Sequence, residues 1–336
     1  MIIQLKQQII KDDREAIVKA LVTLGYKPTE VQTQHGDYIV GIGKKEFDIR
    51  RIGHMKGIAD IHRVSDDYKL VSRKWKVKHT SVDLGDDVLI GNGTLSLMAG
   101  PCSIENEKQV ELTLQHLKEN DLKIMRGGVF KPRSSPYSFR GMGVGGLKMW
   151  HALAKAAGIK IISEVMQVSQ IDEMYDYVDI FQVGARNTQN FNLLDELGKV
   201  DKAVMIKRGI SGTIEELLYS AEYVFSAGNE NLILCERGIR TYERASRNTL
   251  DINAIPILKE KTHLPVVVDP SHGIGIREYV EPIALAAVMS GADGIIYETH
   301  QEPEEAASDG QQTLNFEESS RMIDRMRKAF DLRESF

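Results

Sequence analysis

From residue 95 onward, short apolar runs alternate with longer segments in which apolar residues recur at helical spacing. The runs are "LSLMAG", "KIMRGG", "KIISEV", "IFQVGAR", "AVMIKRG", "NLILCERG", "PVVVDPSH" and "GIIYETH". Continuous apolar runs of this kind are strands buried on both faces. Segments between them, such as "TIEELLYSAEYVFSAG", open on threonine and close on glycine, residues that cap helix ends. Eight β-then-α units predict an α/β protein built on a (β/α)8 TIM barrel, ahead of an open doubly wound sheet.

The first stretch, to about residue 65, follows another rhythm. It predicts a strand from Ile2 to Leu5, a helix from Asp12 to Gly25, two strands flanking "HGDY", a helix from about Phe47 and a strand near Ala59 to Val64. The order βαββαβ is that of a small ferredoxin-like α+β domain. Between the two lies the polar stretch "SDDYKLVSRKWKVKHTS", followed by a segment in which Asn92-Gly93 is a hairpin signal. The expected division is a regulatory domain at 1–70, a linker and barrel-plugging hairpin at 71–94, and a catalytic barrel at 95–336.

Composition narrows the function. A chain of 336 residues suits a barrel plus a smaller domain, with 42% apolar residues to fill the cores. The net charge of -5 argues against nucleic acid as the main partner, since counterion release needs a broad basic surface. The start, "MIIQLKQQIIKDD", lacks the features of a signal peptide, and no segment has the apolar length of a membrane span. A cytoplasmic protein without membrane contact is expected, and Cys102 and Cys235 are expected to be thiols.

Barrel enzymes carry their chemistry at the C-terminal ends of the strands. Those ends are Cys102, Arg126, Glu164, Arg186, Lys207, Arg237, Asp269 with His272, and Glu298. Arg126, Lys131, Arg186, Lys207 and Arg237 make a positive mouth suited to carboxylate and phosphate oxygens. In an acidic protein this implies a small substrate with several negative charges. Cys102, His272, Glu298 and Asp309 supply sulfur, nitrogen and oxygen donors that closure of the barrel would bring together as a divalent-metal site. Their types do not choose strongly among Mn, Fe, Co and Zn. "GMGVGG" at 141–146 fits a dinucleotide fingerprint, but a polar loop precedes it where a strand is required. Cys235 reads as core, and His151, His263 and His300 as surface or capping residues, His300 alone being near the mouth.

The runs "AGPCS", "RGGVFKPRSSPYSF", "QVGARNTQNF", "KRG", "CERGIRTYE", "DPSHG" and the "DG" at 309–310 closely resemble 3-deoxy-D-arabino-heptulosonate 7-phosphate (DAHP) synthases of the type I beta kind. The resemblance covers nearly the whole chain. It implies metal-dependent condensation of phosphoenolpyruvate with erythrose 4-phosphate and water, the first step of the shikimate pathway. Carried over by position, it implies that Cys102, His272, Glu298 and Asp309 hold a divalent metal, Mn2+ first, with Fe2+, Co2+ or Zn2+ as alternatives. Arg126, Lys131, Glu164, Ala185, Arg186, Lys207 and Arg237 would surround phosphoenolpyruvate; Lys131, Pro132, Arg133, Ser134 and Asp269 would meet the sugar phosphate. Lys131, Glu164, Cys102 and His272 are the implied catalytic set, with Lys131 placed to donate a proton. Feedback inhibition by tyrosine or phenylalanine and a homotetramer are further implications. The sister family making 3-deoxy-D-manno-octulosonate 8-phosphate uses a five-carbon acceptor and usually reads K-A-N-R-S where this chain has Lys131-Pro132-Arg133-Ser134. A catalytically silent ligand-sensing module is the alternative of another class, and the intact set of polar strand ends stands against it.

Overall fold

Burial pattern and connectivity agree on an antiparallel four-stranded sheet and a closed parallel barrel, with a two-stranded hairpin besides. The computed structural model describes residues 1–43, 48–91, 93–131, 137 and 139–336. The N-terminal unit runs β1 (Ile2–Leu5), α1 (Lys11–Thr23), β2 (Lys27–Gln32), β3 (Asp37–Ile42), α2 (Arg50–Gly53) and β4 (Ile58–His62). Its antiparallel sheet has the order β2-β3-β1-β4, the ferredoxin-like arrangement. Ile3, Ile39, Ile17, Leu21 and Ile52 form a core between this sheet and its helices. Asp37 and Tyr38 of "HGDY" belong to β3 itself, and α2 is a single turn starting at Arg50. Phe47, the expected helix start, lies outside the described residues.

The short strands β5 (Ser81–Asp83) and β6 (Leu89–Gly91) pair as an antiparallel hairpin. Its turn lies at 84–88, earlier than Asn92-Gly93: Gly85, Asp86 and Asp87 all take positive φ there. Asn92 is outside the described residues; Gly93, at φ +78°, belongs to the passage from β6 into the barrel. The Asn-Gly signal thus falls, in sequence, after the hairpin and ahead of the first barrel strand.

The barrel consists of β7 (Ser96–Gly100), β8 (Ile124–Gly127), β9 (Lys160–Val165), β10 (Ile180–Val183), β11 (Ala203–Lys207), β12 (Leu232–Glu236), β13 (Val266–Val268) and β14 (Gly294–Glu298), closed by pairing of β14 with β7. Around it lie α3 (Glu107–Glu119), α4 (Gly143–Ala157), α5 (Ser169–Met174), α6 (Phe191–Leu197), α7 (Ile214–Ser226), α8 (Ala254–Lys261), α9 (Pro270–Ile274), α10 (Arg277–Met289) and α11 (Phe316–Glu334). Thr213 and Glu216 form a capping box at the start of α7, each satisfying an otherwise orphaned backbone donor. Inward residues Met98, Ile124, Ile162, Ile180, Met205, Ile233, Cys235, Val267 and Ile296 fill the barrel, and Val82, Val88 and Ile90 of the hairpin pack against them. The hairpin closes the end where the strands begin: Thr80 donates to the His263 carbonyl, and the Ser96 hydroxyl donates to that of Leu89. The opposite mouth is left for chemistry.

The polar stretch between the units is well packed. Val64, Tyr68, Leu70, Val71 and Trp75 are buried in the same cluster as barrel residues. Glu222 on α7 accepts hydrogen bonds from the backbone amides of Lys69, Leu70 and Val71. His263, expected as a surface or capping residue, is fully buried and joins the Leu70 carbonyl to the Thr80 hydroxyl. The turn between β2 and β3 docks on the barrel through Thr33 with Glu230 and Gln34 with Asn229. No helix among the described residues is long and apolar enough to cross a membrane.

Candidate active site

Local sequence sets up several of the functional side chains. In "DPSHG", Asp269 caps α9 by accepting from the His272 amide, Pro270 occupies the first turn, and Gly275 ends the helix in the left-handed conformation. That single turn turns His272 back over the end of β13. Gly100 brings β7 against β8 so closely that a Cβ would lie 2.1 Å from the Arg126 carbonyl oxygen. Asp309 takes φ +53°, a conformation uncommon for a residue with a side chain, just before a 3-10 turn at Gly310–Gln312.

A cleft of about 170 Å³ opens at this mouth. Of the expected residues, Lys131, Glu164, Ala185, Arg186, Arg237, His272 and Asp309 line it. Cys102, Arg126, Lys207, Asp269 and Glu298 lie buried beneath. Pro132, Arg133 and Ser134 lie outside the described residues. Four lining residues escaped the sequence reading: Ile210, Arg240, Arg247 and Asn248. Arg240 lies within the quoted run "CERGIRTYE", so a basic residue in a strand-end loop was the available signal. Arg247 and Asn248, farther along that loop, had none.

The buried charges are cross-paired. Arg126 donates to the Pro101 carbonyl at 2.9 Å and to Glu298 Oε1 at 3.1 Å. Lys207 Nζ is 2.5 Å from Asp269 Oδ2, which is also 2.8 Å from His272 Nδ1. Burial resists ionisation of Asp269, but the His272 and Lys207 charges outweigh it and hold the carboxyl well below its ordinary range. Glu298 is likewise held low against burial by His272 and Arg126.

The cleft's cations are less well matched. Arg237 is buried, donates to the Gly238 carbonyl at 3.3 Å, and has no carboxylate partner among the described residues. Burial and the neighbouring Arg247 charge lower its pKa despite Asp269. Arg186 and Arg240 also make no ion pair with a described residue. An anion entering the cleft would meet guanidinium groups whose charge is not already neutralised, the arrangement that bidentate binding requires.

Cys102 Sγ, Glu298 and Asp309 offer ligand atoms all within 4.8 Å of one another. His272 stands at the edge of this group, its Nε2 3.5 Å from Glu298 Oε1. Cys102 Sγ is 3.2 Å from Asp309 Oδ2 and 3.0 Å from Lys131 Nζ. Burial, reinforced by Glu298, pushes the thiol up to about 12, while Asp309 is held at about 2 against burial by His272 and Arg247. A thiol kept protonated amid carboxylates fits a site completed by a cation, which would favour the thiolate. The mixed donors suit a divalent transition metal. Lys131 is half-buried at the cleft, and against that desolvation and the Arg126 charge its neighbours Cys102, Glu164 and Glu298 hold its ammonium above its usual value. Cys235 faces the barrel core, and His300 is buried beside Glu105, away from the lining of the cleft.

Residues 74–334 match the model of the DAHP synthetase I family. The chain is 43% identical over 332 residues to the phospho-2-dehydro-3-deoxyheptonate aldolase of Thermotoga maritima, covering 98% of each. It is 31% identical to the 2-dehydro-3-deoxyphosphooctonate aldolase of Geobacter sulfurreducens, over 74% of this chain and 97% of that protein. Among solved structures, the Thermotoga maritima phospho-2-dehydro-3-deoxyheptonate aldolase (DAHP synthase) has a TM-score of 0.79 at 42% identity, covering 98% of this chain and 97% of the other. A truncated 3-deoxy-D-arabino-heptulosonate 7-phosphate synthase from the same organism has a TM-score of 0.74 at 45% identity, covering 79% of this chain and 97% of its own.

Proposed function

The chain belongs to the DAHP synthetase I family and is a 3-deoxy-7-phosphoheptulonate synthase, and on that premise we propose how its residues divide the reaction. C3 of phosphoenolpyruvate bonds to the aldehyde carbon of erythrose 4-phosphate, water adds at C2, and the C2–O bond to phosphate breaks, releasing inorganic phosphate. The observation that carries the reading is Arg237, a buried guanidinium at the cleft with no carboxylate partner among the described residues.

Arg237, Arg186 and the Ala185 backbone hold the anionic groups of phosphoenolpyruvate, while Arg126 and Lys207 set the field from beneath. Holding a substrate that carries both a carboxylate and a phosphate at fixed cations orients its C3 toward the aldehyde and removes much of the entropy cost of bringing two reactants together. Lys131, kept cationic by its anionic neighbours, donates a proton to the oxygen that was the aldehyde carbonyl. Glu164, in the same cleft, takes the proton from the water that adds at C2. Arg133, Ser134 and the Pro132 backbone, with Lys131 and Asp269, are assigned to erythrose 4-phosphate.

Cys102, His272, Glu298 and Asp309 would hold the divalent metal, Mn2+ first. When bound, it supplies Lewis-acid polarisation of the aldehyde carbonyl. We assign residues 1–70 to feedback regulation by tyrosine or phenylalanine, 71–94 to the linker and hairpin, and 95–336 to catalysis, in a cytoplasmic homotetramer.

The test compares rates of phosphate release from phosphoenolpyruvate with erythrose 4-phosphate and with arabinose 5-phosphate, before and after EDTA. Erythrose 4-phosphate is expected to be preferred, with activity lost to EDTA and restored by Mn2+. A preference for arabinose 5-phosphate would overturn the acceptor, and an EDTA-insensitive rate would overturn the metal assignment.

A further inference from the structure

Behind the proposed metal ligands lies a pair of residues that the reaction itself does not use. Gln312 is 2% exposed and sits on the 3-10 turn that follows Asp309, its amide donating to the Asp309 carbonyl at 3.2 Å. Its side-chain Nε2 donates to Glu298 Oε2 at 2.6 Å, and its Oε1 accepts from Arg247 Nη1 at 2.7 Å. The same Nη1 donates to Asp309 Oδ1 at 3.1 Å. Arg247 and Gln312 therefore bracket two of the carboxylates grouped with Cys102.

The amide's orientation is dictated by charge. Turned over, Gln312 would set its NH2 against a guanidinium and its oxygen against a carboxylate, losing both bonds. The oxygens of Glu298 are divided: Oε1 faces Arg126 and His272, at 3.1 and 3.5 Å, and Oε2 is occupied by Gln312. Without Gln312, Glu298 could rotate to offer both oxygens to Arg126. Arg247 also belongs to a loop tied to α9, its amide donating to the Ile274 carbonyl and the next residue, Asn248, to that of His272. One buried amide and one arginine thus connect the segments carrying Glu298, Asp309 and His272.

We infer that Gln312 and Arg247 are positioning residues that fix the orientation of Glu298 and Asp309 for metal capture, so that loss of either polar link weakens metal binding while leaving the ligands themselves in place. This rests on the reading of Cys102, His272, Glu298 and Asp309 as the metal set.

The test uses the full chain, stripped of metal and titrated with Co2+. It follows the thiolate-to-cobalt absorption contributed by Cys102 and measures affinity by chelator competition. Gln312→Met keeps side-chain volume and removes both polar ends; it should weaken Co2+ binding about 10- to 100-fold, with the thiolate band regained at saturation. If Gln312→Met does not fold, Arg247→Lys carries the test at a position 42% exposed, where a point charge replaces the guanidinium fork; a smaller loss in the same direction is expected. Wild-type affinity in the folded variants would overturn the inference, because packing alone would then explain Gln312. A wild-type protein that gives no thiolate band would overturn the metal reading and this inference with it.

Discussion

Glu164 owes its place in the cleft to a neighbour with no side chain. A Cβ built on Gly184, at the end of β10, would stand 2.0 Å from Glu164 Oε1 and 2.7 Å from its carboxyl carbon. The obstructing atoms are the far end of a flexible side chain, so the backbone can stay while the carboxylate moves. Gly184→Ala should leave thermal stability close to wild type and lower kcat by about a hundredfold, the low side of what a positioned acid or base contributes. Measured together, kcat and Tm decide the matter: a fall in Tm with unchanged kcat would remove Glu164 from the proposed chemistry. The same scale shows the limit of reading side chains singly. "CERGIRTYE" displays Arg237 and Arg240 alike, but only the fold shows one buried and the other at the rim.

Among the elements, the segment joining the two units shows how local polarity can mislead. "SDDYKLVSRKWKVKHTS" reads as a linker, yet Tyr68, Leu70, Val71 and Trp75 are buried, with Val77 left exposed, and its backbone is gripped by Glu222 and His263. Burial pushes the His263 imidazole down to about 3 from an ordinary 6.5. Between those values the unfolded chain binds a proton that the folded chain refuses. Stability is therefore full above about pH 6.5 and falls as the pH drops toward 3, by about 1.4 kcal/mol per unit from this one group. His116, lowered to about 4 by burial, adds a slope of the same sign. In His263→Gln, Tm plotted from pH 6.5 to 4 should fall less steeply than in wild type. Equal slopes would mean that His263 takes up its proton without loss of the fold. The hairpin errs in the opposite sense: Asn92-Gly93 was the loudest turn signal, whereas the β5–β6 turn uses Gly85, Asp86 and Asp87. A turn motif tells where a chain can reverse, but strand pairing decides which reversal makes a hairpin.

In the whole molecule, the ferredoxin-like unit and the barrel share one apolar cluster, in which Ile2, Val31, Tyr38 and Val40 continue into barrel residues such as Phe225. The ring of Tyr38 meets Trp75 at 5.4 Å and Phe225 at 6.3 Å. This docking lies at the plugged end, away from the cleft, so the N-terminal unit can be removed without cutting the site. A protein lacking residues 1–70 is expected to keep condensation activity, lose any inhibition by tyrosine or phenylalanine, and melt at a lower temperature because Phe225 and Trp75 become exposed. Activity assays with each amino acid check this; inhibition persisting in the shortened protein would place the regulatory site on the barrel.

The sequence by itself determined the barrel, because eight doubly buried strands must show as apolar runs, and it determined the polar chemistry at their ends, because polar residues interrupt those runs where they reach the mouth. The βαββαβ order was legible for the same reason. Only the tertiary structure decided which charges cancel. Lys207 meets Asp269 across 62 residues and Arg126 meets Glu298 across 172, leaving Arg237 without a carboxylate partner among the described residues. Gln312, Arg247 and Asn248 carried no signal in the chain, since their positions matter through residues distant in sequence. Periodicity reports what one element buries; the partners of a buried charge depend on which elements the closed barrel makes neighbours.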